Sequence, residues 1–164
     1  MQPFVKLLWI ILACFACGGT YAQDGALVMP QDFTIEAKAA QIKHAPILVL
    51  FMSSNCSYCE RVLREFLLPM QLNAEYRNKV VMRQIEVGSD TALKDFAGRA
   101  TTQAQFAMRY RVQMVPTVML FDAQGNVLAT PLVGLTTPDF YGGYLDQAID
   151  EAVSKVRLKK LARY

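Results

Sequence analysis

The stretch that decides the fold is Ser-Ser-Asn-Cys-Ser-Tyr-Cys-Glu-Arg at residues 53–61, in which Cys56 and Cys59 stand three residues apart. The uninterrupted apolar run at 47–52 precedes it and predicts a strand that is buried on both faces. The residues that follow have the apolar spacing of a helix, which we expect to run to about Leu72. Two thiols at this spacing, where a strand passes into a helix, can form a disulfide and lose it again. The pattern is typical of thiol redox chemistry.

Two other interpretations of Cys56 and Cys59 are open. A structural zinc site needs four ligands. The chain's single histidine is His44, and the remaining cysteines, Cys14 and Cys17, lie in an apolar segment near the N-terminus. A permanent structural disulfide would close a very short loop, which stabilises a fold little. We therefore expect a redox-active pair, with no metal and no cofactor.

The first 22 residues are predicted to be a signal peptide. Lys6 gives the segment a positive start, and the apolar core from Leu7 to Cys17 is too short to span a bilayer comfortably. Thr20 and Ala22 are small residues at the two positions that a signal peptidase reads, which predicts cleavage after Ala22. Export would place the cysteine pair in a compartment where disulfides persist. A short signal of bacterial type indicates the periplasm.

An alternative fate of the N-terminus is lipid attachment. The run Ile-Leu-Ala-Cys at residues 11–14 resembles the lipidation box of bacterial lipoproteins. Lipid on Cys14 would anchor the protein to a membrane instead of releasing it into the periplasm.

The length and composition are those of one ordinary domain. The chain has 164 residues, of which 53% are hydrophobic, enough to form a core. The net charge is +3 and no dense basic block occurs, so nothing in the composition indicates binding to nucleic acid. We expect a linker or short edge strand at 23–31, a folded domain at 32–158 and a solvated basic tail at 159–164.

The apolar periodicity of the remaining chain predicts alternating helices and strands. Asp32 is expected to cap the first helix, and Pro69 to kink or end the helix that follows the cysteines. Residues 122–126 are predicted to form a hairpin turn, and residues 88–102 to be irregular around one short helix. Helices are predicted at 32–43, 92–96 and 103–110, and strands at 79–87, 117–121 and 127–133. A final helix is predicted to be capped by Thr137-Pro138-Asp139. Its buried face is predicted to consist of Tyr141, Leu145, Ile149 and Val153.

The order of these elements predicts an α/β fold with a mixed sheet of four to five strands flanked by helices. Three motifs, in this order, resemble the thioredoxin superfamily. They are the cysteine pair at the start of a helix, Tyr-Arg-Val-Gln-Met-Val-Pro-Thr at 110–117, and Leu-Val-Gly at 132–134. Together they extend over nearly all of residues 32–155. Within the superfamily, the sequence is most similar to exported bacterial thioredoxin-like proteins of the sulfur-oxidation-associated SoxW type.

The resemblance and the position of the motifs together imply roles for four residues. Cys56 stands at the helix N-terminus, where the helix dipole favours a thiolate, and would be the attacking sulfur. Cys59, one turn inside, would be shielded and would resolve the mixed disulfide. Pro116 would be a cis-proline that packs against the pair. Val115 before it would offer backbone groups to a substrate strand.

A few residues depart from the family pattern. Asn55 stands where family members commonly carry tryptophan, and Leu50 occupies the position of a buried acid that accepts a proton from the buried thiol. Either a water molecule or Glu60 would have to substitute for that acid. Ser57 and Tyr58 replace the Gly-Pro of thioredoxins and are expected to set the redox poise. Ser57 is either a hydrogen-bond donor to the attacking thiolate or simply a tolerated small residue.

Three functions are open on the sequence: a dithiol reductase recharged by a membrane electron donor, a DsbA-like oxidase that inserts disulfides, and a non-catalytic binding module. The segment between Cys59 and Pro116 is too short for the large helical domain of such oxidases, although Val115 is oxidase-like. The presence of both cysteines disfavours a binding module, and the chain lacks room for the dimerisation domain of an isomerase. We expect a monomeric reductase that acts on protein or small-molecule thiols and disulfides.

Overall fold

The computed structural model describes residues 25–162 of the chain. The predicted signal peptide, its cleavage position after Ala22, the alternative lipid site at Cys14 and the last two residues of the predicted tail lie outside the described residues. The elements, in chain order, are α1 (Phe33–Lys43), β1 (Ile47–Met52), α2 (Ser57–Arg61), a π-helical segment (Val62–Leu67), α3 (Leu68–Leu72), α4 (Ala74–Lys79), β2 (Val81–Glu86), β3 (Ala92–Lys94), β4 (Ala100–Thr102), α5 (Gln103–Arg109), β5 (Thr117–Phe121), β6 (Leu132–Val133) and α6 (Pro138–Leu161).

The main sheet has four strands in the order β2-β1-β5-β6. β1 pairs in parallel with β2, with Ile47 opposite Val81. On its other side β1 pairs antiparallel with β5, which in turn pairs antiparallel with β6. The predicted α/β fold with a mixed sheet is therefore confirmed, with four strands.

Both faces of β1 are covered, which explains its uninterrupted apolar sequence. Leu48 and Leu50 belong to the core that lies against α2, the π-helical segment and α6, whereas Val49 and Phe51 belong to a second core formed with α1 and α5. Successive side chains of a strand point to opposite faces, so a strand between two layers needs apolar residues at every position. All residues of β1 are buried, and the strand predicted at 47–52 is confirmed.

The helix after the cysteines passes through Pro69 instead of ending there. Its middle section, Val62–Leu67, is π-helical, and the N–H of Leu68 bonds to the carbonyl of Leu63. In a regular α-helix a proline has no N–H to donate, and its ring clashes with a carbonyl one turn back. The wider turn before Pro69 makes room for that ring. The helix therefore does not end at Pro69 but continues to Leu72, with a π-helical widening before the proline.

The prediction of a short helix at 92–96 is wrong, because these residues begin a β-hairpin. β3 pairs with β4, and Asp95 starts the turn between them. The Asp95 carboxylate accepts hydrogen bonds from the N–H groups of Ala97 and Arg99, and Gly98 takes a φ of +76°. Bonding of a side chain to nearby backbone in this way competes with helix formation and favours a tight turn.

The remaining predicted elements agree with the structure in part. Asp32 caps α1 as predicted. The return strand predicted at 127–133 is confirmed in part. Val127 forms an isolated bridge with Phe121, and the paired strand β6 covers Leu132–Val133. Pro131, directly before β6, has no N–H to donate to the ladder. α4 is an additional helix beyond those predicted, and it begins after Asn73, whose side chain accepts a hydrogen bond from the N–H of Glu75.

The segment predicted as a linker or edge strand, 23–31, runs along β2. Leu27 is buried, and its N–H donates to the side-chain oxygen of Gln84. The N–H of Gln84 donates in turn to the carbonyl of Val28. The described part of this segment thereby covers an edge of the sheet.

The predictions for α6 are confirmed in part. Thr137 stands at its N-cap position but makes no capping hydrogen bond, and Pro138 is its first residue. The helix extends to Leu161, so the tail predicted at 159–164 begins inside it. Within residues 25–162, no helix has the length and apolar character needed to cross a membrane. The predicted buried face of α6 consists of Tyr141, Leu145, Ile149 and Val153, all of which are buried.

Candidate active site

The two cysteines lie beyond the carboxyl end of β1, where the chain turns into α2. Cys56 is the N-cap residue of α2, with φ and ψ angles of −111° and 102°. Its Sγ accepts a hydrogen bond from the N–H of Cys59 at 3.1 Å. The N–H groups at a helix N-terminus carry partial positive charge and stabilise a negative sulfur. The position of Cys56 therefore favours its thiolate form.

The two sulfurs differ in their access to solvent. Cys56 is partly buried, whereas Cys59 is fully buried in the core beneath the helix. The cysteines form a disulfide, and their Cα atoms lie 5.2 Å apart. A partly exposed sulfur can meet an external sulfur and a buried one cannot. The arrangement therefore suits attack by one cysteine and resolution by the other.

The pairing of β5 with β1 brings a second loop to the same end of the sheet. Because these strands are antiparallel, with Phe51 opposite Thr117, the end of β1 lies beside the start of β5. The residue before β5 is Pro116, which is buried and follows a cis peptide bond from Val115. Val115 and Cys56 pack against the same core. The structure thus brings Val115 and Pro116 to the cysteine pair.

Ser57 and Tyr58 lie between the cysteines on the exposed side of α2. Tyr58 is 58% exposed, so an aromatic ring stands at the surface next to the sulfur that a partner would meet first. The Sγ of Cys56 accepts its hydrogen bond from the N–H of Cys59, and in the described chain the hydroxyl of Ser57 makes no such bond to it. The expected contribution of Ser57 as a donor is therefore not seen in this disulfide form.

The position of the family's buried acid is apolar in this chain. Leu50 is 0% exposed and belongs to the same core as Cys59. Glu60, the other group considered for accepting the proton of Cys59, forms an ion pair with Arg64 at 2.9 Å. On the helix surface the Arg64 side chain is 67% exposed and that of Glu60 is 42% exposed. Neither Leu50 nor the Glu60 carboxylate, which pairs with Arg64, is placed to accept the proton of Cys59.

Two hydrogen bonds of this site were not anticipated from the sequence motifs. The hydroxyl of Thr117 donates a 2.7 Å hydrogen bond to the carbonyl of Met114. The N–H of Gly134 donates one of 2.7 Å to the carbonyl of Pro116. The two bonds hold the loop on both sides of Val115. The available signal was a threonine directly after the proline, since a buried hydroxyl needs a partner.

Residues 25–162 contain no cluster of side chains suited to a metal centre. No group of three or more His, Cys, Asp or Glu side chains there could hold a metal ion. His44 lies at the C-terminus of α1, and its Nε2 is 3.0 Å from Nζ of Lys160. β1 separates this histidine from the cysteines, because His44 precedes the strand and the pair follows it.

Comparison with known protein families identifies the fold. The family model described as a thioredoxin-like domain matches residues 33–149, which is most of the chain and includes both cysteines and Pro116. The chain belongs to the thioredoxin-like family. No curated protein matches the sequence. Membership of this family and the close cysteine pair together support a thiol-disulfide oxidoreductase in general terms.

Solved thioredoxin structures are similar to this chain. Thioredoxin from Plasmodium falciparum is 13% identical with a TM-score of 0.50, and the match covers 76% of this chain and 98% of that chain. Trxlp from Edwardsiella tarda is 22% identical with a TM-score of 0.49, and the match covers 68% of this chain and 91% of that chain. The likeness to the Plasmodium protein shows the thioredoxin fold alone, and the predicted fold is confirmed.

Proposed function

We propose that this thioredoxin-like protein is a periplasmic thiol-disulfide oxidoreductase that works as a dithiol reductase through its Cys-Ser-Tyr-Cys site. The observation that carries the proposal is a partly buried Cys56 at a helix N-terminus, bonded to a fully buried Cys59. One sulfur can be reached by a substrate and is favoured as a thiolate, and the other is shielded until the first has reacted.

The reaction begins with the reduced protein and a substrate disulfide. The Cys56 thiolate attacks one substrate sulfur, the substrate S–S bond breaks, and the leaving sulfur takes a proton from water. Cys59 then loses its proton to water and attacks the Sγ of Cys56. This step forms the disulfide seen in the structure and releases the second substrate sulfur, which is also protonated. The substrate gains two electrons and two protons, and the electrons come from the two cysteines.

Substrates are proposed to bind at the loop before Pro116. Within residues 25–162, neither the N–H nor the carbonyl of Val115 bonds to another group. Both groups are therefore available to an extended segment of a substrate. We propose that the substrates are proteins or small molecules with thiol or disulfide groups. The oxidised pair would be recharged by a dithiol of a membrane electron donor, and the protein would act as a monomer.

The size of the segment between the cysteines and Pro116 supports reduction over oxidation. The resemblance implies that a DsbA-like oxidase carries a large helical domain there, whereas the corresponding additional elements here are the short strands β3 and β4. Val115 before the proline is the feature that favours the oxidase, which is the second candidate. A non-catalytic binding module is disfavoured because both cysteines are present and bonded to each other.

The proposed location rests on the N-terminal sequence. Cleavage after Ala22 would release a protein that begins at Gln23 into the periplasm. Mass spectrometry of the exported protein tests this proposal, and a chain beginning at Gln23 is the expected product. A product that begins at Cys14 and carries a diacylglycerol adduct would contradict release and support lipid anchoring.

Reduction of insulin, with dithiothreitol as the electron source, tests the proposed activity. The wild-type protein is expected to accelerate precipitation of the insulin B chain, and Cys56→Ser to abolish the acceleration because the attacking sulfur is gone. Ser54→Ala changes an exposed residue of the same loop and serves as the control with a wild-type rate. A wild-type protein that does not accelerate the reaction would contradict the proposal.

A further inference from the structure

Thr117 is the first residue of β5 and directly follows the proline of the site. It is only 4% exposed, and its hydroxyl donates a 2.7 Å hydrogen bond to the carbonyl of Met114. Valine has nearly the same branched shape and is equally suited to a buried strand. What distinguishes threonine at this position is therefore the hydrogen bond, which reaches back across the proline to the loop.

This hydrogen bond fixes the direction of the peptide unit between Met114 and Val115. The unit is trans, and a trans peptide is planar, with its carbonyl and N–H groups pointing in opposite directions. The carbonyl of Met114 is held towards the buried side chain of Thr117. The N–H of Val115, in the same plane, therefore points in the opposite direction, away from the Thr117 hydroxyl.

The other side of the loop is fixed by different bonds. The carbonyl of Pro116 accepts a hydrogen bond from the N–H of Gly134, and β6 pairs with β5 from Thr117 onwards. These bonds orient the chain after Val115 but not the peptide unit before it. That unit is held through the hydroxyl of Thr117, while the N–H of Val115 has no partner among residues 25–162.

We propose that Thr117 is a positioning residue for protein substrates, because its hydroxyl aims the N–H of Val115 at the backbone of the segment that carries the substrate disulfide. The inference rests on the proposed function and predicts a difference between substrate classes. A protein disulfide brings backbone carbonyls that the N–H of Val115 can bind. Hydroxyethyl disulfide has no peptide backbone, and its reduction needs only the cysteines.

The substitution Thr117→Val tests the inference, since it removes the hydroxyl and keeps the branched side chain. With insulin as substrate, we expect KM to rise about fivefold with little change in kcat, the factor that corresponds to one net hydrogen bond. With hydroxyethyl disulfide, kcat/KM should stay at the wild-type value. Thr117→Ser keeps a hydroxyl and should restore the wild-type KM for insulin.

Thr101→Val is the matched control, because Thr101 is also a buried threonine whose hydroxyl is hydrogen-bonded, but it lies in β4. The Thr101→Val variant should show wild-type KM and kcat with both substrates. An unchanged KM for insulin in Thr117→Val, or equal losses with both substrates, would overturn the positioning role. A wild-type protein that reduces neither substrate would overturn the proposed function instead.

Hydrogen exchange of the wild-type protein gives a second test that does not depend on a variant. An N–H that points outwards and has no partner exchanges rapidly with solvent. We expect the amide of Val115 to exchange much faster than that of Val118, which lies within β5. Strong protection of the Val115 amide would overturn the inference.

Discussion

Cys56 and Cys59 are one helical turn apart, and the start of α2 gives each sulfur a different environment. Cys56 meets solvent and the N–H groups of the first turn, while Cys59 is enclosed by the core. Thiol-disulfide exchange needs one sulfur that reaches the substrate and a second that completes the reaction afterwards. The proposed roles of the two residues follow from this difference in burial.

Cys59→Ala is expected to trap substrates on Cys56. Without the second sulfur the mixed disulfide has no internal attacker, so turnover with insulin should fall at least about a hundredfold. The trapped adducts should appear as mass increases on a non-reducing gel and disappear with dithiothreitol. The double variant Cys56→Ser/Cys59→Ala is the control and should form no adducts. Absence of adducts in the single variant would show that the exchange scheme is wrong.

The position of the cysteines could be predicted from the sequence, but the contact of Thr117 could not. A buried strand followed by helical spacing places a helix start near Cys56, and this information is local to residues 47–61. The bond between Thr117 and Met114 depends on how the chain turns at Pro116. In the sequence, Thr117 after the proline indicates a strand and a hydroxyl that needs a partner, but not which carbonyl that hydroxyl reaches.

The β3–β4 hairpin depends on one buried carboxylate. Asp95 is 2% exposed, accepts hydrogen bonds from two backbone N–H groups of its own turn, and forms ion pairs with Arg99 and Arg109. Burial alone would raise the pKa of Asp95, but the hydrogen bonds lower it to about 2 from its ordinary value of 3.8. Arg109 lies on α5, and no periodicity in the sequence connects it with Asp95. The sequence pattern therefore does not predict this hairpin.

Asp95→Asn is expected to lower the free energy of unfolding at pH 7 by about 1 kcal/mol, a value that allows for solvent screening of the two exposed arginines. Because the folded pKa is lower than the unfolded one, the charged carboxylate stabilises the fold above about pH 4. This contribution is lost as the pH falls towards 2. Urea unfolding of the wild type and of Asp95→Asn should thus show a difference in the free energy of unfolding at pH 7, and this difference should shrink between pH 4 and pH 2.

Asp90→Asn is the control for this series, because Asp90 is exposed and makes no ion pair in the described chain. The Asp90→Asn substitution should change the free energy of unfolding little at any pH. A difference between wild type and Asp95→Asn that stays constant from pH 7 to pH 2 would contradict the role of the Asp95 charge.

The turn after β5 was predicted at 122–126, and the structure confirms it. The N–H of Asp122 bonds to the carbonyl of Asn126, and Gly125 takes a φ of +82°. A Cβ at Gly125 would lie 2.7 Å from the ring of Phe96 and 2.8 Å from the hydroxyl of Tyr110. The glycine is thus required by both the backbone conformation and the close packing.

Gly125→Ala is expected to lower the free energy of unfolding by about 3 kcal/mol, from the left-handed backbone and the clash with Phe96. Gly88→Ala is the matched control, since a Cβ there would meet nothing within 4 Å. It should change stability by less than about 0.5 kcal/mol. Denaturant unfolding measures both variants, and equal midpoints would refute the packing argument.

In the whole molecule, the sheet separates two cores and carries the cysteine pair at one end. The layers could be predicted, because the apolar run of β1, the β-α-β unit and the buried face of α6 all require the same arrangement. The path of the chain along β2 could not be predicted. It depends on the buried side chain of Gln84, which bonds to Leu27 over a sequence separation of 57 residues. Such a contact leaves no pattern in the sequence.

The surroundings of Cys56 also bear on the direction of electron flow. Strong oxidants of this chemistry owe their potential to a stabilised reduced form. In the described chain, the Sγ of Cys56 accepts one hydrogen bond, from the N–H of Cys59, and no cationic side chain bonds to it. A reductase of the proposed kind needs no additional group to stabilise the Cys56 thiolate, and the reduction potential decides between the two directions.

The equilibrium reduction potential of the Cys56–Cys59 couple tests the claim of a dithiol reductase most directly. It can be measured by equilibrating the wild-type protein in dithiothreitol buffers of known potential and counting free thiols. We predict a value close to that of thioredoxin, about −270 mV. A value close to that of DsbA, about −120 mV, would contradict the account and favour the oxidase.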